Sequence, residues 1–126
     1  MAADIIVAED DDEVRSLVED ELDSELGSEY SVVAVRDGKE AWEYLTETDD
    51  APGVAVLDVM MPELDGFSLL ERIRDSEDLE GVRVILLTSR SREQDIQRAL
   101  EGGADDFVAK PFSSDELLDS VNQFLS

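Results

Sequence analysis

The stretch VAVLDVMMPELDGF, residues 54–67, sets the problem. Four residues suited to a core, Val54 to Leu57, run straight into one carboxylate, Asp58. Two methionines, Met60 and Met61, a proline and the turn-like Leu64-Asp65-Gly66 follow. A short apolar run bounded by turn signals reads as a strand buried on both faces. An acid at its end belongs at the edge of a sheet, where solvent or a ligand can meet it.

Further runs of the same kind lie on either side. Asp4 to Ala8 (DIIVA), Tyr30 to Val35 (YSVVAV), Val82 to Thr88 (VRVILLT) and Asp106 to Ala109 (DFVA) all read as strands. Helical patterns separate them. The first spans about Asp12 to Leu26, with Val14, Leu17, Val18 and Leu22 on one face and Gly27 at its stop. The second opens at the turn pair Asp37-Gly38. The third is capped by Asp65 and carries Phe67, Leu70 and Ile73. The fourth runs from about Ser91 to Glu101, before Gly102-Gly103. The fifth begins with Ser113 and Glu116 at capping-box spacing, and Leu117, Leu118, Val121, Phe124 and Leu125 form its stripe. Five β/α repeats predict an α/β fold: an open, doubly wound parallel sheet with helices on both faces. All 126 residues are expected to form one domain, 1–126, with no output domain visible.

Composition excludes several chemistries. The chain has no cysteine and no histidine, so disulfides, thiolate metal sites and the usual general base are absent. Thirty-four acids face ten bases, for a net charge of −24. Direct binding to nucleic acid or an anionic membrane is disfavoured, because polyanions would be repelled. Only Lys39 and Lys110 are lysines; an acidic, lysine-poor surface suits the salt-rich cytoplasm of a halophile, of haloarchaeal type, and the alternative reading is an ordinary acidic domain. No signal peptide or membrane span is evident, so a cytoplasmic location is expected.

In open α/β sheets, ligands bind outside the carboxyl ends of the strands. The residues there are Glu9 and Asp10 after the first strand, Asp58 after the third, Thr88 after the fourth and Lys110, followed by Pro111, after the fifth. Clustered carboxylates with no nitrogen or sulfur ligand suit Mg²⁺. A carboxylate beside Mg²⁺ can act as a nucleophile towards phosphorus, and Lys110 and Thr88 could help neutralise the phosphoryl oxygens. Asp11, Asp12, Glu13, Asp105 and Asp106 read as solvated charge. Trp42 and Tyr44 read as partial core or helix surface.

This set resembles the response-regulator receiver domain of two-component, phosphorelay signalling. The resemblance rests on four motifs in order: IIVAEDD, VLDVMMPELDGF, VILLTSR and GADDFVAKPFSSDEL. It implies a flavodoxin-like strand order, 2-1-3-4-5. It also implies that Asp58 accepts a phosphoryl group from the phosphohistidine of a sensor histidine kinase or phosphotransfer protein. Glu9, Asp10, Asp58 and the Met60 carbonyl would hold Mg²⁺, while Thr88 and Lys110 would contact the phosphoryl oxygens. Phe107 would move with Thr88, and Lys110-Pro111 would be cis. The face of the fourth helix, fifth strand and fifth helix would change shape to control an effector or output domain. A phosphorylation-dependent dimer is possible, although Ile96 and Ser120 stand where related dimers use charged pairs. Such a domain is a phosphoacceptor, not an enzyme, beyond its own phosphotransfer and dephosphorylation.

Rival readings fit less well. A flavodoxin would cradle phosphate after its first strand, where this chain places AEDDDEV. An aspartate-nucleophile phosphatase would want an acid two residues after Asp58, where Met60 stands. A phosphorylation-independent interaction module is the remaining alternative, and it would be expected to lose one of the key residues.

Overall fold

A computed structural model describes residues 4–48, 50–61, 63–89 and 93–125. Five strands, β1 (Ile5–Ala8), β2 (Val32–Val35), β3 (Val54–Asp58), β4 (Arg83–Thr88) and β5 (Asp106–Ala109), alternate with five helices. These are α1 (Asp12–Leu26), α2 (Gly38–Glu47), α3 (Gly66–Asp75), α4 (Glu93–Glu101) and α5 (Ser114–Asn122). The strands form one sheet in the order β2-β1-β3-β4-β5, with every pairing parallel.

Alternation along each strand builds two cores. Ile6, Ala8, Ala55, Leu57, Val84 and Leu86 face Ala41 and Leu45 of α2, Leu69, Leu70 and Ile73 of α3, and Ala99 of α4. Ile5, Val7, Val54, Val56, Ile85 and Leu87 face Val18 and Leu22 of α1, and Leu117 and Val121 of α5. A fully buried leucine or isoleucine in such a core contributes about 2 kcal/mol through removal of apolar area from water. The central strands β1 and β3 are buried throughout, as their unbroken apolar sequences require. Edge strand β2 is only half-buried.

Local signals fix several helix starts. Asp11 caps α1 by accepting from the Glu13 and Val14 N–H groups. Asp37 caps α2 through Glu40 N, and Asp65 caps α3 through Ser68 N. Ser113 and Glu116 form the expected reciprocal box at α5. The expected start of α4 at Ser91 lies outside the described residues, as does Pro62.

Several expectations change. β1 begins at Ile5 rather than Asp4, and α5 ends at Asn122, before Phe124 and Leu125. Leu17 is 55% exposed, and Val18 and Leu22 carry the buried face of α1. β2 begins at Val32, because the Tyr30 N–H still bonds Leu26 O in the turn that ends α1. β4 begins at Arg83: Val82 N bonds Leu79 O in the turn that follows a 3₁₀ helix, Glu77–Leu79, whose Leu79 is buried.

Candidate functional site

The ladder places the chemically distinctive side chains together. Ala8 lies abreast of Leu57, Asp58 abreast of Leu87, and Thr88 abreast of Ala109. Backbone pairing then continues one step past the strands. Glu9 N bonds Val35 O at 3.2 Å, Val59 N bonds Leu87 O at 2.9 Å, and Lys110 N bonds Thr88 O at 2.7 Å. Glu9 and Lys110 are therefore held by the sheet, although each lies just beyond its strand.

Glu9, Asp58 and Thr88 are buried, whereas Asp10 is exposed. The Lys110 ammonium donates to Glu9 Oε2 at 3.0 Å and Oε1 at 3.3 Å, and to Asp58 Oδ1 at 3.1 Å. One oxygen each from Glu9, Asp10 and Asp58 lie within 4.8 Å of one another. Lys110-Pro111 is cis. Phe107 is half-buried against the α2–α4 core, and the Met60 side chain is exposed. Every candidate except Phe107 thus sits at the carboxyl edge of the sheet. Phe107 lies two residues before it, on β5.

Electrostatics separate this cluster from ordinary surface acids. Burial pushes the Glu9 carboxyl from 4.5 up to about 7. The Lys110 bond opposes that rise, and the neighbouring Asp58 charge adds to it. Burial also raises Asp58, against the pull of Lys110 and the Met60 N–H. Burial draws Lys110 down, but its bond to Glu9 and the Asp58 charge outweigh this and hold it above its usual range. One ammonium does not neutralise two buried carboxylates and a third at their rim. Three hard-oxygen donors converging in this way fit Mg²⁺.

Some acids have roles that the sequence did not show. Asp105 and Asp106, expected to be solvated charge, are both engaged. Asp105 pairs with Arg74 at 2.8 Å and Arg83 at 3.3 Å, and accepts from Val84 N. Asp106 accepts from Ser120 Oγ at 2.6 Å and Gln123 Nε2 at 2.8 Å. Asp12 pairs with Arg15, whose guanidinium also donates to the Glu9 carbonyl at 3.1 Å, steadying the end of β1. Asp12 and Arg15 at helical i, i+3 spacing were the available signal for that pair.

A five-stranded parallel sheet in this order, with an acid triad and a lysine at its carboxyl edge, is the architecture of receiver-type domains. The response regulator receiver domain family model matches residues 5–122, and the chain belongs to that family. It is 40% identical over 121 residues to the transcriptional regulatory protein GltR of Pseudomonas aeruginosa, covering 96% of this chain and 48% of GltR. The chain thus spans about half the length of that relative. Among solved structures, it is similar to the signal receiver domain of a signal transduction histidine kinase from Syntrophus aciditrophicus. That match has 35% identity and a TM-score of 0.85, and covers 98% of this chain and 90% of the other. It is also similar to the receiver domain of the Pseudomonas aeruginosa sensor histidine kinase PA1611, described with a magnesium ion coordinated in its active site cleft. There the identity is 30% and the TM-score 0.84, with 98% of each chain covered. These relatives are bacterial, and the expected haloarchaeal-type origin finds no support in them. Among the described residues, no helix is long and apolar enough to cross a membrane.

Proposed function

We propose that residues 1–126 act as one receiver domain that is switched by phosphorylation of Asp58. The observation that carries this reading is the Lys110 ammonium bridging buried Glu9 and Asp58 at the sheet edge. Glu9, Asp10, Asp58 and the Met60 carbonyl would hold Mg²⁺, which when bound neutralises charge on the phosphoryl oxygens. An Asp58 oxygen bonds to phosphorus as the phosphorus–nitrogen bond to the donor histidine breaks. The electron pair leaves with the imidazole, which takes a proton from solvent. Lys110 and the Thr88 hydroxyl bind the transferred oxygens. The donor is a sensor histidine kinase or phosphotransfer protein. The protein works in the cytoplasm and binds no nucleic acid through this domain, because its −24 charge repels polyanions. Dephosphorylation uses the same groups.

The test is exposure to acetyl phosphate with Mg²⁺, read by intact mass. The wild type should gain one phosphoryl group and Asp58→Asn none; undiminished labelling of that variant refutes the assignment.

Phosphate becomes signal by favouring one of two arrangements of the α4–β5–α5 face, which meets an effector, an output domain or a second copy. Thr88 moves towards the phosphoryl oxygens and Phe107 follows. A beryllofluoride adduct at Asp58 should shift amide resonances across residues 88–112. Thr88→Ala should retain the adduct and shrink the shifts; equal shifts in both proteins would disconnect Thr88 from the switch.

A further inference from the structure

The loop that leaves Asp58 is pinned at two places. At its base, Gly66 N donates to Val59 O at 3.0 Å. A Cβ on Gly66 would lie 2.6 Å from the Asp58 carbonyl oxygen, so only glycine allows this return. At its tip, the Leu64 carbonyl rests against Gly38, the first residue of α2. A Cβ on Gly38 would fall 1.9 Å from Leu64 O and 2.9 Å from its carbonyl carbon. The preceding residue, Glu63, has φ +65, a left-handed conformation that is strained for a residue other than glycine. The loop therefore turns sharply to set Leu64 down on α2.

The wall it meets is anchored at both its cap and its core face. Asp37 caps α2 through a 2.8 Å bond from Glu40 N, and Ala41 and Leu45 anchor the helix in the core. Trp42 and Leu64 also line one cavity of about 280 Å³ beside this contact. The loop residues between base and tip include Met60.

We propose that Gly38 is a positioning residue for the metal site. By leaving room for Leu64 O, it sets how far the Met60 carbonyl stands from the oxygens of Glu9, Asp10 and Asp58. This inference rests on the reading that places Mg²⁺ among those groups. Atoms in ordinary contact stand about 3.5 Å apart, so Gly38→Ala forces the loop or the helix to move by roughly 1.5 Å. Mg²⁺ demands near-octahedral geometry, whereas Ca²⁺ accepts irregular oxygen sets. The displacement therefore penalises Mg²⁺ more than Ca²⁺, which a general loss of stability would not do.

Calorimetric titration of the full chain with each ion tests this. Gly38→Ala should weaken Mg²⁺ binding by about tenfold or more and Ca²⁺ binding by less than about threefold. Gly81→Ala, at a glycine with nothing within 4 Å of its added Cβ, should change neither. Leu64→Gly loosens the tip from the other side at a half-buried position, and should also lower the preference for Mg²⁺; it decides the matter if Gly38→Ala does not fold. Unchanged Mg²⁺ affinity, or equal losses for both ions, overturns the positioning role alone. A wild type that binds no Mg²⁺ overturns the metal reading, and the inference falls with it.

Discussion

Two charged clusters bracket the sheet, and they differ in arithmetic. Near the amino end of β4, one carboxylate, Asp105, serves two guanidiniums, Arg74 and Arg83, and also the Val84 N–H. Arg74 further donates to the carbonyls of Gly103 and Val82. At the carboxyl edge, one ammonium serves two buried carboxylates, with Asp10 beside them. The first cluster is rich in donors, and its single acid accepts from each of them. The second holds surplus negative charge in a water-poor place. A bound cation would offset that surplus, in keeping with the proposed Mg²⁺ site, whereas the Asp105 clasp is already balanced from within.

The contrast can be broken most sharply at its two centres. Lys110→Met should slow labelling by acetyl phosphate by about 100-fold, the scale seen when one transition-state donor is lost. Asp105→Ala should leave labelling of the folded protein unchanged. It should lower the unfolding free energy by about 2 kcal/mol in urea, since Arg74 loses its acid partner but keeps two carbonyls. Comparable labelling defects in both variants would erase the distinction between clasp and reactive site.

A smaller effect sharpens it. Below pH 4.5 the Glu9 carboxyl is protonated in both the folded and unfolded chains. Between 4.5 and about 7 the folded chain alone retains the proton, and above about 7 that stabilising contribution is gone. Without divalent ions, the stability of the wild type should therefore fall as pH rises through this window, and Glu9→Gln should show a shallower fall. Urea midpoints in chelator at pH about 5 and about 8 measure it. Equal slopes would mean that Glu9 does not hold the proton.

The candidate site was legible because parallel strands are apolar on both faces. Any polar residue that ends such a strand is conspicuous, and Asp58 and Thr88 stand out in that way. Glu9 and Lys110 followed because they abut the same kind of run. The clasp was not legible, since Arg74 and Asp105 are joined only by tertiary folding. Nor was the exposure of Leu17, because helical period alone does not say how wide a stripe the sheet will cover. Tyr30 looked like strand because it is aromatic and precedes valines, but the α1 turn claims its N–H.

The outer strands have a consequence for the protein in concentrated solution. An open sheet exposes unpaired backbone along its two borders, a template for edge-to-edge association. Here β2 and β5 are the borders, and each has only four residues. β5 opens on the charged Asp106 and is followed by Lys110 and Pro111, the latter with no N–H to offer a growing ladder. Pro111, at the carboxyl end of β5 beside the candidate site, thus also limits extension of the ladder along this border, and its substitution should remove part of that protection.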